Sequence, residues 1–264
     1  LAGIIEREKG VKNIRRRDIK GNLIGISGFS WFNEVRWNDE DIMPIFRKYA
    51  EKYCSSGFEL NPGEYRNDPK ESANKIKFDL FLRYGLICAV PDRIAADFCP
   101  AWYLKSPSVI SEWKFSQTSV NQLKKLKLDR ASRVKPLMSG SEYLSVGGNS
   151  TDCALQIKAL LGHGNLITNI CSRNVGQVAN LPEGAIVSTN ALISKNSVKP
   201  VCAGRLPDEI YALTIRHTMN QSTIIKSVLE KDLDIAFNAF LNDPLMSADL
   251  SSATELYSEM LAAV

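Results

Sequence analysis

The stretch that most constrains the fold is Gly25-Ile26-Ser27-Gly28-Phe29-Ser30-Trp31-Phe32-Asn33-Glu34-Val35-Arg36-Trp37. Phe29, Trp31, Val35 and Trp37 share one parity, while Ser30, Glu34 and Arg36 share the other. That alternation predicts a strand with one buried face. Gly21, Gly25 and Gly28 lead into the aromatics, so another backbone or a ligand is expected to approach closely there. A glycine-flanked strand that turns aromatic is either a site wall, with Trp31 as a contact for a ligand, or an ordinary core strand.

The chain has 264 residues, enough for one good core or two small ones. Its apolar and charged contents, 44% and 23%, are those of a soluble globular protein, and no apolar run nears the roughly 20 residues that span a bilayer. We expect no membrane partner and no signal peptide, and a cytoplasmic location. Ala2 to Glu8 read as a helix tail stopped near Gly10, so residues 1–20 are expected to be a truncated lead-in to a single domain over 1–264.

The six cysteines, Cys54, Cys88, Cys99, Cys153, Cys171 and Cys202, are scattered without a Cys-Xaa-Xaa-Cys pair. They read as reduced thiols rather than as a zinc site or a disulfide framework. Only two histidines are present, His163 and His217, far apart in sequence. This excludes a histidine-rich metal site, and any catalytic triad would need one of them.

Two basic clusters stand out against a net charge of +4. The first is Lys12 to Lys20 with Arg15-Arg16-Arg17. The second carries Lys124, Lys125, Lys127, Arg130, Arg133 and Lys135 against Asp129. Such runs grip phosphates or form solvated helix faces, and nucleic acid is not the expected partner.

Along the chain, a helix is expected over about 39–54, capped by Asn38 or Asp39, with Pro44 forcing a kink or a start nearer itself. Two prolines and a Pro-Gly make 58–69 a loop. A second helix runs over about 70–84 and stops at Gly85. A short helix follows Pro91-Asp92 to Phe98. Trp102, Tyr103, Trp113 and Phe115 read as a lid or packing arm, 119–135 as an exposed helix, and 140–148 as a loop whose Gly147-Gly148 is too isolated to cradle a phosphate.

Thr151 or Asp152 should cap a helix to Leu161. Strands are expected over 166–171, 185–194 and 198–203, with a hairpin turn at Asn196-Ser197. Helices follow over 208–230 and 232–241, and a last one opens on a capping box of Ser252 and Glu255.

Several elements resemble glycoside hydrolase family 4. Gly25-Ile26-Ser27-Gly28-Phe29-Ser30-Trp31 is similar to that family's Gly-Xaa-Asn-His-Xaa-Xaa-Trp, with Ser27 and Gly28 at the Asn and His positions. Asn174-Val175-Gly176-Gln177-Val178-Ala179-Asn180-Leu181-Pro182 resembles its Asn-Xaa-Gly-Xaa-Ile-Xaa-Asn-Leu-Pro. Leu206-Pro207 and Asn242-Asp243-Pro244-Leu245 are also family-like. Arg83-Tyr84-Gly85 followed by Pro91-Asp92-Arg93 is similar to an Arg-Tyr-Gly and Asp-Arg-His pairing, which points to the α-galacturonidase-like branch.

The resemblance implies an α+β fold, a mixed or antiparallel sheet packed by helices, like the C-terminal domain of lactate-dehydrogenase-like proteins. It also implies NAD- and metal-dependent chemistry, with Mn2+ or another divalent cation. In the family, NAD⁺ takes hydride from C3 of the sugar, elimination and water addition follow, and the ketone is reduced again.

By position Asp92 would be a base or sugar contact, Arg93 would hold a uronate carboxylate, and Asn174 and Trp31 would line the sugar. Gly28 cannot ligate a metal, and neither can Ile94, which stands where the family has the histidine after Asp-Arg. No glycine-rich dinucleotide fingerprint is present, so no cofactor or metal is expected on this chain alone. A homo-oligomer is expected, and a separate NAD-binding chain is a further expected partner. Three readings stand: the substrate-binding and oligomerisation part of a family 4 glycosidase, inactive by itself; a decayed, non-catalytic sugar-binding or interaction module; and a basic nucleic-acid-binding domain.

Overall fold

Residues 19–37 do not form one strand. The computed structural model describes residues 1–59, 62–66, 68, 71–143 and 153–263. In it β1 (Ile19–Ile26) and β2 (Phe29–Trp37) make an antiparallel hairpin about a two-residue turn at Ser27 and Gly28, with Ile26 opposite Phe29. The close approach expected at the glycines is that of the partner strand. A Cβ on Gly25 would lie 2.6 Å from the Phe29 carbonyl oxygen and 2.9 Å from the Ser30 Cα, so only glycine fits there.

The alternation is broken as well. Asn22 pairs with Glu34 and Leu23 with Phe32, which leaves Asn33 as the extra residue of a bulge. One extra residue sends everything after it to the opposite face. Phe29 and Trp31 therefore pack with Ile24 and Ile26 in one core, while Val35, Phe32 and Trp37 belong to another. The predicted single buried face is two half-faces.

The rest of the sheet comprises β3 (Glu40–Asp41), β4 (Ile87–Cys88), β5 (Leu166–Arg173), β6 (Ile186–Ser194) and β7 (Ser197–Pro200). Its order is β3-β2-β1-β6-β5, with β4 added to β2 and β7 to β6. Every registered strand pair is antiparallel, one of the two sheet types the α+β expectation allowed. The two halves of the sheet meet at Ile26 and Val187. Side-chain amides extend the join, Asn190 Nδ2 donating to the Gly21 carbonyl at 2.9 Å and Asn22 Nδ2 to that of Ala203 at 3.2 Å. Beside them opens a cleft of ≈ 670 Å³ bordered by Ile19, Phe32, Ile167 and Asn169.

The helices are α1 (Ala2–Lys9), α2 (Met43–Tyr53), α3 (Lys75–Tyr84), α4 (Asp92–Phe98), α5 (Pro107–Glu112), α6 (Val120–Ser139), α7 (Cys153–Leu160), α8 (Asp208–Glu230), α9 (Leu233–Leu241) and α10 (Leu250–Ala262). α3 sits between the two cores. Its Ile76 and Leu80 enter the core under Trp31, and its Phe78 and Phe81 enter the core built by α1 and α2. A helix apolar on both flanks has to be buried on both.

Several boundaries move for local reasons. α2 starts at Met43 because Asn38 (φ 49°) and Asp39 (φ 63°) form the tight turn into β3, and the Asp41 carboxylate accepts from the Met43 amide at 2.9 Å. α3 starts at Lys75, five residues later than expected. The hairpin from β6 to β7 turns on Lys195 and Asn196 rather than Asn196-Ser197.

The cap of α10 is Asp249, whose carboxylate accepts from the Ser252 amide at 3.0 Å, so the predicted Ser252–Glu255 box is not used. Tyr103 and Phe115 are buried, which makes that segment a packing arm, and the Tyr103 hydroxyl donates to Asp79 at 2.6 Å. The Gly147-Gly148 loop and the Thr151 or Asp152 cap lie outside the described residues.

All six cysteines are free, and burial pushes the Cys88 and Cys99 thiols up to about 12. Those two are packing groups without thiolate chemistry. Among the described residues no helix is long and apolar enough to cross a membrane.

Candidate functional site

The hairpin tip at Ser27 and Gly28 rests on α4 and α8. The Phe29 ring stacks on Phe98 at the end of α4, 5.1 Å between centroids and 6° between planes. Phe98 in turn lies 4.7 Å from the His217 ring of α8. His217 Nε2 is 2.8 Å from the Phe98 carbonyl oxygen. A carbonyl only accepts, so Nε2 carries the proton and Nδ1 of the neutral ring is an acceptor. In the sequence His217 is one of two histidines, with no motif around it. Its place beside the tip depends on a contact 119 residues away in the chain, which no local signal announces.

Gly28 has φ +89°, and a Cβ there would meet the Phe98 Cζ at 3.0 Å. The space where the family's histidine would start is filled by an aromatic ring. Among the described residues no three His, Cys, Asp or Glu side chains gather as a metal site. With Gly28 and Ile94 offering no donor, the residues present do not fit a divalent metal. Among the described residues the strand pairs are antiparallel and form no βαβ unit that would present a helix N-terminus to a pyrophosphate.

Asp92 is fully buried at the start of α4. Its Oδ2 accepts from the Ile76 amide at 3.3 Å and its Oδ1 from the Lys77 amide at 3.2 Å. These are first-turn amides of α3, whose own N-cap, Asn74, makes no side-chain cap. Asp92 therefore caps α3 from another part of the chain. Burial pushes its carboxyl up, opposed by the Lys77 charge, the two amides and the Ser72 hydroxyl. With both oxygens engaged and no exposure, the geometry gives Asp92 a structural task.

Arg93, one residue on, is half-buried. Its Nη1 donates to Thr118 Oγ1 at 3.0 Å, while its Nε is buried without a hydrogen-bond partner. Burial pushes the nearby Asp97 carboxyl up, the Arg93 charge pulls it back, and Asp243 adds to the rise. Gln117 Nε2 donates to Asp97 Oδ1 at 3.3 Å. The Arg93 guanidinium is thus held by Thr118 and lies near the Asp97 carboxylate, with its Nε closed off from solvent.

Asn174 is buried and saturated. Its Nδ2 donates to the carbonyls of Val178, Leu181 and Pro182 at 3.1, 2.9 and 3.1 Å, and its Oδ1 accepts from the amides of Gly176 and Val178 at 3.3 and 3.1 Å. Asn180 similarly exchanges two hydrogen bonds of 3.0 Å with the Leu206 backbone. The asparagines of this family-like element staple a loop to the segment that leads into α8.

Trp31 is also fully buried, 6.1 Å edge-on from Tyr84, with its Nε1 lacking a partner. It belongs to the core beneath the tip, so it is no open wall. Of the four residues named from sequence, Asp92 and Arg93 adjoin on α4, Trp31 lies in the core that α4 enters through Ala95 and Ala96, and Asn174 is in a separate loop.

Residues 23–246 match the C-terminal domain of the family 4 glycosyl hydrolases. The chain belongs to that family. It is 42% identical over 263 residues to the α-galacturonidase of Thermoanaerobacterium saccharolyticum, covering 99% of this chain and 57% of that protein. It is 38% identical over 264 residues to the α-galacturonidase of Bacillus subtilis, covering 100% of this chain and 58% of the relative. The chain therefore spans less than two thirds of the length of these family 4 proteins.

The crystal structure of lplD from Bacillus subtilis superposes with a TM-score of 0.91 at 38% identity, over 98% of this chain and 59% of that one. A gut-microbial 6-phospho-α-glucosidase, solved with NAD and Mn2+, shares the fold at a TM-score of 0.70 and 16% identity, over 98% of this chain and 57% of that one. The chain thus matches the C-terminal domain of family 4 proteins and is similar over nearly its whole length to α-galacturonidases.

Proposed function

We propose that this chain is the sugar-recognising and assembly part of an α-galacturonidase-like family 4 enzyme, acting on α-galacturonides by redox-elimination with NAD and Mn2+ held mainly by residues outside these 264. The observation that carries this reading is the 36–42% identity to four α-galacturonidases across 93–100% of the chain. Arg93 supplies the chemical support: it is half-buried with Nη1 donating to Thr118, and the remaining N–H groups at its guanidinium end suit a uronate carboxylate. In this reading Arg93 touches the sugar acid, while Asp92, Trp31 and Asn174 hold the frame that positions it. The chain works in the cytoplasm, pairs with copies of itself, and meets its NAD-binding part as a separate chain or as a preceding segment.

The chain alone turns over no glycoside, because its residues fit neither metal nor dinucleotide. Incubating nitrophenyl α-galacturonide with the 264-residue protein, NAD⁺, Mn2+ and a reductant should release no nitrophenol. The Ser27→Asn/Gly28→His variant should be equally silent. Metal-dependent release by the chain alone would overturn the reading. A second reading, a decayed member that binds sugar without catalysis, is favoured by the Phe98 ring against Gly28. Supplying an intact family NAD-binding part in trans separates the two, since restored turnover belongs to the first reading and sugar binding without turnover to the second.

A further inference from the structure

The charge of this chain is sorted along its length. α6 carries six basic residues and one acid, Asp129. Residues 232–264, which contain α9 and α10, carry six acids and no basic residue. Among the described residues, neither segment is neutralised by ion pairs. Arg133 of α6 reaches Glu142 at the long distance of 3.9 Å, and among those residues no ion pair joins a cation to an acid of α9 or α10. Three of the six acids are occupied at backbone amides, Asp232 and Asp249 as helix caps and Asp243 at Leu245. Asp234, Glu255 and Glu259 remain for a partner.

Both segments also present apolar side chains to solvent. α6 buries no residue, although a Ser119–Gln122 capping box opens it and Gly140 (φ 73°) closes it. Leu123, Leu126 and Val134 fall on one flank of α6 and are 47–55% exposed. Lys127 and Arg130 lie among them. α10 is fastened to α9 through Tyr257, whose ring meets Phe237 and Phe240. That contact leaves Leu256 and Met260, spaced i and i+4, exposed beside Glu255 and Glu259. A capped helix about 30 Å long with an unpartnered apolar flank is built to be covered.

We infer that α6 of one copy docks along the α9–α10 surface of a second copy, and that a two-fold axis makes the exchange mutual. The inference rests on the assembly reading above and deepens it by naming the two surfaces. Opposite charge sets the register, and the leucine flanks exclude water between the helices. Nucleic acid suits α6 poorly, because it has no aromatic side chain for base stacking and its cations are interleaved with leucines. The second copy offers both the negative charge and the apolar cover.

Sedimentation velocity of the full chain tests this, with circular dichroism confirming that each variant stays folded. Lys124→Glu/Lys127→Glu/Lys135→Glu should weaken self-association about tenfold or more, as should Glu255→Lys/Glu259→Lys. An equimolar mixture of the two variants should recover a heterodimer. Carbodiimide cross-linking of the wild type should join α6 lysines to α10 glutamates within the dimer band. A dimer indifferent to both reversals, or no recovery on mixing, would overturn this contact while leaving self-assembly standing. A wild-type chain that is monomeric at all accessible concentrations would overturn the assembly reading with it. Salt-sensitive DNA retention abolished by the α6 reversal, with sedimentation unchanged, would assign the helix to nucleic acid and overturn the contact.

Discussion

Buried polar side chains explain what single residues do in this fold. Asp92 holds two first-turn amides of α3 with a carboxylate that burial pushes up and the Lys77 charge pulls down. Asp92→Ala should cost roughly 2 kcal/mol or more, because two buried donors lose their partner. Asp92→Asn should cost clearly less, since an amide oxygen still accepts and no charge is buried. Urea denaturation of both variants checks this, and equal losses would mean that capping is not what Asp92 contributes. Asn174→Ala should cost at least about 3 kcal/mol, because three carbonyls and two amides lose their partner at once. The neighbouring Val175→Ala, at a side chain 67% exposed, should shift stability by about 0.5 kcal/mol or less. Neither Asp92 nor Asn174 could be read as a staple from sequence, since their partners lie on other elements or across a loop of irregular backbone.

At the scale of elements, what is local was legible and what is tertiary was not. α1, α4, α6, α8 and α9 end or begin where glycine, proline or a capping side chain says they should. The α10 cap was misplaced by three residues because Asp249 competes with Ser252 for the same role. The β1–β2 hairpin was missed because its turn is Ser-Gly, and the bulge at Asn33 was invisible because alternation in one strand carries no record of its partner's register. At the hairpin tip, Gly28→His would place a side chain at φ +89° against the Phe98 ring. We expect a loss of about 1–3 kcal/mol by thermal or urea denaturation. Unchanged stability would show that the tip relaxes and still accepts a histidine.

For the whole molecule, two cores share α3 and one antiparallel sheet. The family and the fold class were legible in the sequence because short elements kept their order over most of its length. The sorting of charge between α6 and the α9–α10 end was half-legible: the basic run and its exposed helix were evident, but that the helix buries none of its residues needed the structure. The account's central proposal is that this framework recognises a sugar acid through Arg93. Calorimetric titration of galacturonate into the chain, without NAD or metal, tests that claim most directly. Binding that Arg93→Ala weakens about tenfold or more, with galactose binding no better than that variant binds galacturonate, is the predicted result. Galacturonate and galactose bound alike, or binding untouched by the loss of Arg93, would contradict it.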